Sequence, residues 1–172
     1  MFVNKVENTG ILALDLIDFK TNLTIESFDI KALLYQEAIV REKEFREALA
    51  AVDWSVFANK AVAISCSVDA IIPPWVYMTL AEKLHPIAAY YDFKDVEALA
   101  IDLWRQTLQS MDLSHFQNQK VVVRARPDIP PSLYMLATER LVPIVQTLMY
   151  GEVGMPKVIF KKKVKYNESI DI

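Results

Sequence analysis

Apolar residues recur along the chain with two different spacings. In "KEFREALAAV" and "VEALAIDLWRQTLQSM" they fall every three or four residues, which predicts amphipathic helices, the second capped by Asp95. The short β-branched runs "AVAIS" and "KVVVRA" predict strands that are buried on both faces of a sheet. The stretches "PPWVYMTLAEKL" and "PPSLYMLATERL" predict helices that begin at a proline pair, because a proline in the first turn gives up only an N–H without a partner.

These elements occur twice in the same order. Residues 45–93 and 104–150 each contain helix, strand, helix and strand, with several identical residues in register. Two strands joined through a helix lie parallel by a right-handed crossover. We therefore predict one α/β domain over residues 1–172, in which a duplicated unit forms a mainly parallel central sheet.

The flanking segments predict further elements. The N-terminal "VNKV", "ILALDL" and "TIESFDI" and the C-terminal "KVIFKKKVKY" have the composition of strands joined by short turns. We expect them to add antiparallel strands to the central sheet or to form a second sheet. A helix from about Ile30 to Val52 is predicted to lead into the first copy.

Composition narrows the class of protein. Hydrophobic residues make up 53% and charged residues 24% of the chain, as in ordered globular proteins. The net charge of −3 argues against nucleic-acid binding as the main role. The lysine run "KKKVKY" predicts a guarded edge strand, with contact to an anionic partner or nucleic acid as the alternative. Only three glycines are present, too few for a glycine-rich phosphate loop.

The single cysteine, Cys66, excludes an internal disulfide. The N-terminal sequence has no export signal, and no apolar stretch is long enough to span a membrane. We therefore expect a cytoplasmic protein that does not associate with membranes.

Two loops follow the buried strands and precede the helices that begin at prolines. In open α/β sheets, ligands bind beyond the carboxyl ends of the strands and near helix N-termini. If the two copies lie side by side, the loops at 65–72 and 124–129 share one ligand-binding rim. The candidate binding residues in the loops and in the helices after them are Ser65, Ser67, Asp69, Arg124, Arg126, Asp128, Tyr77 and Tyr134.

Each candidate also has a structural alternative. Arg124 and Arg126 suit a two-pronged grip on a carboxylate or phosphate, or they pair with Asp69 or Asp128 and fasten the two copies together. Cys66 is either a small buried hydrophobic residue or a nucleophile whose pKa is lowered by a helix N-terminus. It is the candidate catalytic residue.

Other conspicuous residues are predicted to be structural. Tyr77 and Tyr134 favour core packing with satisfied hydroxyls over a ligand contact, and Met78 and Met135 are predicted to pack in the core. The repeated "DxSxF" motif predicts turns closed by Asp and Ser side chains. We expect an apolar surface patch that favours homodimerisation from Trp54, Trp75 and Tyr90.

Four segments, "FDIKALLYQEAIVREKEFR", "DWSVF", "CSVDAIIPPWVYM" and "MYGE", resemble a bacterial family of uncharacterised conserved proteins, described as a domain of unknown function. The resemblance implies a cytoplasmic protein, a three-layer β/β/α fold similar to the swivelling domain and genes near those of iron-sulfur assembly. It also implies cysteines at the positions of Arg126 and near Gly154, which with Cys66 would form a soft-metal or redox site. This chain has "RARP" and "EVGMP" there, so we predict neither metal nor cofactor.

No catalytic set stands out, since neither histidine has an identifiable partner. We therefore favour a non-catalytic binding or accessory protein for a small anionic ligand or a protein partner. The alternatives are a thiol-dependent enzyme that uses Cys66 on an anionic substrate, and an accessory factor in iron-sulfur cluster metabolism.

Overall fold

A computed structural model describes residues 10–163 of the chain. The chain divides into two compact units: unit 1 contains residues 1–20 and 104–172, and unit 2 contains residues 21–103. Each unit has its own sheet. The single domain over residues 1–172 stays a prediction, and the predicted strand "VNKV" lies outside the described residues, as does Lys165 of the lysine run.

The strands are β1 Ile11–Leu14, β2 Ile25–Asp29, β3 Ala61–Ser65, β4 Tyr90–Phe93, β5 Lys120–Val123, β6 Thr147–Tyr150 and β7 Lys157–Lys161. The α-helices are α1 Glu42–Ala50, α2 Pro74–Leu84, α3 Val96–Ser110 and α4 Pro131–Leu141. Four short 3-10 helices span Leu16–Phe19, Ile30–Leu33, Trp54–Phe57 and Ser114–Phe116. The single helix predicted from Ile30 to Val52 is wrong, because Gln36 and Glu37 adopt positive φ angles between the 3-10 helix and α1.

Unit 1 has a four-stranded sheet in the order β1-β5-β6-β7. β1, β5 and β6 run parallel, and β7 runs antiparallel to β6 with a register shift at Leu148/Met149. One face of this sheet packs against α4 and the end of α3 through a core that includes Trp104, Leu133 and Leu141. The indole of Trp104 also donates a hydrogen bond to the Leu16 carbonyl at 2.8 Å.

Unit 2 has a three-stranded parallel sheet in the order β2-β3-β4. Phe45 of α1 and Leu80 of α2 are fully buried beside Val62 of β3. A second cluster joins Ala61 and Ala63 of β3 to α3 residues, among them Leu99. Helices α1 and α2 therefore contribute to the first hydrophobic cluster of this sheet, and α3 contributes to the second.

The predicted α/β class with mainly parallel sheets is confirmed, and so is the antiparallel strand from the C-terminal segment. Of the two outcomes expected for the N-terminal segments, antiparallel addition is wrong, because β1 pairs parallel with β5 and β2 parallel with β3. For β2 the cause is the crossover through α1, which makes parallel pairing the natural outcome. The alternative of a second sheet holds for β2. The two copies also contribute to separate sheets and not to one central sheet, while the three-layer arrangement stays a prediction.

Each copy enters its buried strand through the same turn. The predicted turn chemistry is confirmed, since Asp53 Oδ1 accepts from Ser55 N at 3.0 Å and Asp112 Oδ1 from Ser114 N at 2.9 Å. Asn59 and Asn118 follow with positive φ angles of 59° and 56°, which asparagine tolerates better than most residues. The two units therefore bring β3 and β5 into their sheets by matching local geometry.

Candidate ligand-binding site

In unit 1 a nearly buried carboxylate joins the first strand to the loop after β5. Asp15 follows β1, and its Oδ1 accepts from Ile17 N at 3.2 Å, which caps the 3-10 helix. The Arg126 guanidinium reaches the other oxygen, with Nε at 3.2 Å and Nη2 at 2.5 Å from Asp15 Oδ2. Arg124 Nη1 lies 3.8 Å from that oxygen, and the Asp15 side chain is only 10% exposed.

The ionisation of this cluster follows from its contacts. Burial alone would raise the pKa of Asp15, but the hydrogen bonds from Arg126 and Ile17 and the charges of both arginines bring the pKa below its ordinary value. The pKa of Arg126 is raised, first by its hydrogen bond to Asp15 and also by the charges of Asp15, Asp128 and Glu152. Both charged groups are therefore stabilised in their ionised forms.

This pairing bears on both alternatives for the arginines. Their carboxylate partner is Asp15, where the sequence predicted Asp69 or Asp128. Asp128 acts on Arg126 only through its charge. An anionic ligand would have to compete with Asp15 for Arg126, so the geometry favours a structural role for this guanidinium. This pairing was not predictable from sequence spacing, because Asp15 and Arg126 lie 111 positions apart.

Tyr134 fixes the same loop from the side of α4. Its hydroxyl accepts from Arg126 N at 2.9 Å and lies 3.1 Å from the Arg124 carbonyl oxygen, to which it can donate. Burial raises the pKa of Tyr134 despite the opposing effect of the Arg126 backbone hydrogen bond. The hydroxyl is therefore neutral and internally bonded, as in the structural alternative.

Unit 2 has a carboxylate at the matching place with weaker contacts. Asp29 ends β2, and its Oδ1 accepts from Lys31 N at 3.0 Å and Ser67 N at 3.1 Å. A side-chain hydrogen bond from Ser67 is the main cause that lowers the pKa of Asp29. Ser67 thus occupies the position that Arg126 has in unit 1.

The remaining candidates of unit 2 lie along the same loop. Ser65 and Cys66 are half-buried, and Asp69 is exposed. The Cys66 thiol donates to the Val68 carbonyl at 3.3 Å. The Tyr77 ring packs edge-to-face on Phe93 with centroids 5.0 Å apart. Because these residues belong to unit 2 and the arginines to unit 1, a rim shared by both loops stays a prediction.

Each unit has a pocket between its proline-initiated helix and the ends of its strands. The unit 1 pocket has a volume of about 390 Å³, and the unit 2 pocket about 340 Å³. The unit 1 pocket is lined by Val123, Ile129, Pro131, Tyr134, Thr138, Leu148, Met149, Tyr150 and Ile159. The unit 2 pocket is lined by Ile64, Tyr77, Ala81, Tyr91, Asp92 and Phe93.

The six lining residues of the unit 2 pocket correspond to unit 1 lining residues in the aligned repeats. Tyr77 matches Tyr134, and Phe93 matches Tyr150, whose rings also pack edge-to-face at 5.5 Å in unit 1. Sequence reasoning identified the tyrosines but missed the aromatic residues at the strand ends. Their recurrence at equal spacing from the tyrosines was the available signal.

Two predictions about apolar residues are wrong. Met78 and Met135 are 73% and 74% exposed, because each follows a packed tyrosine and so points off the buried helix face. Trp54 and Trp75 do not form an exposed patch, because their rings pack on aromatic residues of unit 2. The ring centroids of Trp54 and Phe28 are 5.5 Å apart, and those of Trp75 and Phe45 are 5.2 Å apart.

Tyr90, the third residue of the expected patch, is half-buried against the β3–α3 cluster. The exposed apolar residues of unit 1 concentrate in the β6–β7 hairpin. Tyr150, Met155, Val158 and Ile159 lie there, and Met135 of α4 is the other large apolar residue of the described part of unit 1 that is exposed. Two of them, Tyr150 and Ile159, also line the unit 1 pocket.

Within residues 10–163, no group of three or more His, Cys, Asp or Glu side chains is arranged to hold a metal ion. None of the helices described for this chain combines the length and apolar character that a membrane span requires.

The family model described as "Protein of unknown function (DUF2480)" matches residues 1–162. The chain belongs to this family. The resemblance seen in the sequence to a family of unknown function is thus confirmed. No curated protein and no solved structure matches this DUF2480 chain. Membership in the DUF2480 family brings no activity with it, so the function has to be inferred from the geometry of the chain itself.

Proposed function

We propose that this DUF2480 protein is a non-catalytic, cytoplasmic binding or accessory protein, and that its ligand site is the unit 1 pocket. The ligand contributes an apolar or aromatic group, carried by a small molecule or by a protein partner. The observation that carries the proposal is the apolar lining of this pocket beside exposed apolar residues of the β6–β7 hairpin.

The size and lining of the pocket support an apolar ligand group. Its volume of about 390 Å³ falls in the usual range for small-molecule sites. Two polar groups of its wall already have internal partners: Thr138 Oγ1 donates to the Tyr134 carbonyl at 2.8 Å, and the Tyr134 hydroxyl bonds the 124–126 loop. A neutral apolar group on entry therefore leaves the hydrogen bonds of these two side chains intact.

The same contacts make the pocket ready for binding. Tyr134 is held by its hydroxyl at the loop and by Tyr150 at the ring. The loop is held in turn by the ion pair between Asp15 and Arg126. A site whose walls are already ordered loses less conformational entropy when a ligand binds.

The anionic ligand suggested by Arg124 and Arg126 is the weaker form of the proposal. Three carboxylates, Asp15, Asp128 and Glu152, act on Arg126, so two guanidinium groups are balanced by nearby negative charge. A carboxylate on the ligand would gain little from this neighbourhood.

Comparison of the two units supports the choice of this pocket. The recurring turns, capping aspartates and pockets are what duplication predicts. Unit 2 has Asp92 where unit 1 has the buried Met149, and Asp92 pairs with Lys94 at 2.9 Å. At this position the wall is therefore apolar in unit 1 and charged in unit 2.

Binding of p-cresol and benzoate, followed by amide chemical shifts, tests the proposal. We expect p-cresol to shift amides near Tyr134, Tyr150 and Ile159, and to bind more tightly than benzoate. Thr138→Trp fills the unit 1 pocket and should abolish these shifts. Ala81→Trp makes the matching change in unit 2 and should leave them intact. Shifts that survive Thr138→Trp, or no shifts at saturating p-cresol, would refute the assignment of this pocket.

The thiol-dependent enzyme and the iron-sulfur accessory factor remain hypotheses. The Cys66 thiol donates to a backbone carbonyl within its own loop. The arginines proposed to hold an anionic substrate belong to unit 1, where Asp15 pairs with them. Homodimerisation also remains a hypothesis, but the tryptophans first proposed to drive it are half-buried against the core of unit 2.

A further inference from the structure

We propose that the unit 1 pocket anchors an acidic segment of a second protein, which inserts one apolar side chain and places its carboxylates along β7. This inference rests on the proposed function, because it requires the pocket to be a binding site. It adds the class of partner: a protein segment with Asp or Glu on both sides of a central Leu, Phe, Tyr or Trp.

The first observation is a row of exposed lysines. Lys157, Lys161, Lys162 and Lys163 are all exposed at β7 and directly after it. None of them forms an ion pair with a residue in the described range, whereas Lys31, Lys60 and Lys94 each pair with a carboxylate. Exposed ammonium groups attract and orient an acidic surface.

The second observation is the place of these lysines beside the pocket. Lys157 is the cross-strand neighbour of Tyr150 in the β6–β7 register, and Tyr150 lines the pocket. Ile159, which also lines it, lies between Lys157 and Lys161 in β7 and is 51% exposed. Directly opposed residues on neighbouring strands have Cβ atoms about 5 Å apart, so an anchored segment has lysine ammonium groups within reach.

The third observation is the irregular edge of the sheet. β7 is the last strand of its sheet, and its register against β6 shifts at Leu148/Met149. A bulge of this kind bends an edge strand and hinders the regular addition of another strand. Recognition through side chains therefore fits this edge better than continuation of the backbone hydrogen bonding.

The distribution of charge also argues against other partners at this surface. A second copy of this chain would bring two identical lysine rows together in a symmetric contact, which like charges oppose. A nucleic acid or an anionic membrane presents continuous negative charge, but Glu152 and Asp128 lie close enough to Arg126 to act on its pKa and so oppose such charge near the loop. A peptide can direct its carboxylates to the lysines and its apolar group into the pocket.

Selection of short random peptides on the full-length chain tests this inference. We expect enriched sequences to contain acidic residues around an aromatic or aliphatic residue. The best synthetic peptide should bind at least about tenfold more weakly to Lys157→Glu/Lys161→Glu and to Thr138→Trp. The control Lys43→Glu/Lys83→Glu changes the net charge equally in unit 2 and should bind as the parent chain does.

Three outcomes would overturn the inference: enrichment without acidic residues, affinity that is insensitive to Lys157→Glu/Lys161→Glu, or affinity that is insensitive to Thr138→Trp. Tight binding of oligothymidylate or of phosphatidylserine vesicles, lost in Lys157→Glu/Lys161→Glu, would also overturn it in favour of those partners. If p-cresol still binds the pocket while acidic peptides do not, the proposed function stands and only the class of partner fails.

Discussion

Unit 1 and unit 2 place an aspartate at the same point and give it different partners. Asp15 directly follows β1, Asp29 is the last residue of β2, and each caps a 3-10 helix. From the loop after the neighbouring strand, Asp15 binds the Arg126 guanidinium, whereas Asp29 accepts hydrogen bonds from the backbone and hydroxyl of Ser67. The cap is thus the part the units share, and the side chain that approaches it from the neighbouring loop is the part that differs.

The two pockets also share some residues and differ in others. Their tyrosines correspond, but the unit 1 wall has Leu148 and Met149 where the unit 2 wall has Tyr91 and Asp92. Unit 1 thus combines the ion pair, a pocket with apolar residues at both of these positions, and the exposed apolar hairpin. The two units therefore share the cap, the tyrosine and the pocket, and differ in the side chains that surround them.

The largest expected effect is on stability, from removal of the two aspartates. Asp15→Ala should lower the free energy of unfolding by about 2–3 kcal/mol, because it removes a cap and leaves Arg126 without its partner. Asp29→Ala should cost about 1 kcal/mol, the usual value for a lost cap. Urea denaturation followed by circular dichroism measures both. Equal losses would mean that the ion pair adds nothing to the cap.

Replacement of the residues that contact the two aspartates, Arg126 and Ser67, tests the same comparison. Arg126→Ala should lower the melting temperature more than Ser67→Ala, and p-cresol affinity should change little in either variant. A large loss of affinity for benzoate with an unchanged melting temperature would instead favour a ligand-binding role for Arg126.

Acid should weaken both units through their aspartates. The pKa values of Asp15 and Asp29 lie below the ordinary value of 3.8 in the folded chain. Their contribution to stability is therefore complete above that value and is lost as the pH falls through the lowered folded pKa. In Asp15→Asn, the decrease in melting temperature below about pH 4 should be shallower than in the parent chain. An unchanged slope would exclude Asp15 as a source of the acid sensitivity.

A smaller effect concerns the thiol that only unit 2 has. Iodoacetamide should modify Cys66 more slowly in the native chain than in urea, because the side chain is half-buried and its thiol is bonded to Val68. Mass spectrometry across a pH series gives both rates. Native labelling that is as fast as or faster than labelling in urea would restore the nucleophile hypothesis.

The smallest effect is expected at the matched methionines. Met78→Lys and Met135→Lys should each change the free energy of unfolding by no more than about 0.5 kcal/mol, as exposed positions do. Chemical denaturation of both variants checks this. A loss of several kcal/mol in one unit would mean that its methionine is covered in solution.

Local pattern was sufficient for most elements but not for their pairing. Helices α2 and α4 begin at the predicted proline pairs, because proline chemistry acts within one turn. The parallel partners of β1 and β2 depend on strands far along the chain, which spacing alone does not specify. "ILALD" and "IESFD" share the aspartate that later caps a helix, and that resemblance was the overlooked signal of a longer repeat.

The candidate site was predicted only in part, for a related reason. The tyrosines and loop residues were found because they recur in the two copies. Asp15 was missed because it lies outside the predicted repeat, and Met135 was misjudged because the direction of a helical side chain depends on which face packs. The choice of partner and of exposed face is a property of the tertiary structure.

The insertion of residues 21–103 between β1 and the rest of unit 1 has a consequence for synthesis on the ribosome. Unit 2 is continuous, so its three strands can pair as soon as β4 has emerged. β1 must wait for β5, because Leu12 pairs with Val121, and until then it is an exposed apolar segment. A nascent chain should therefore complete unit 2 first, and during that interval a chaperone would have β1 as its natural target.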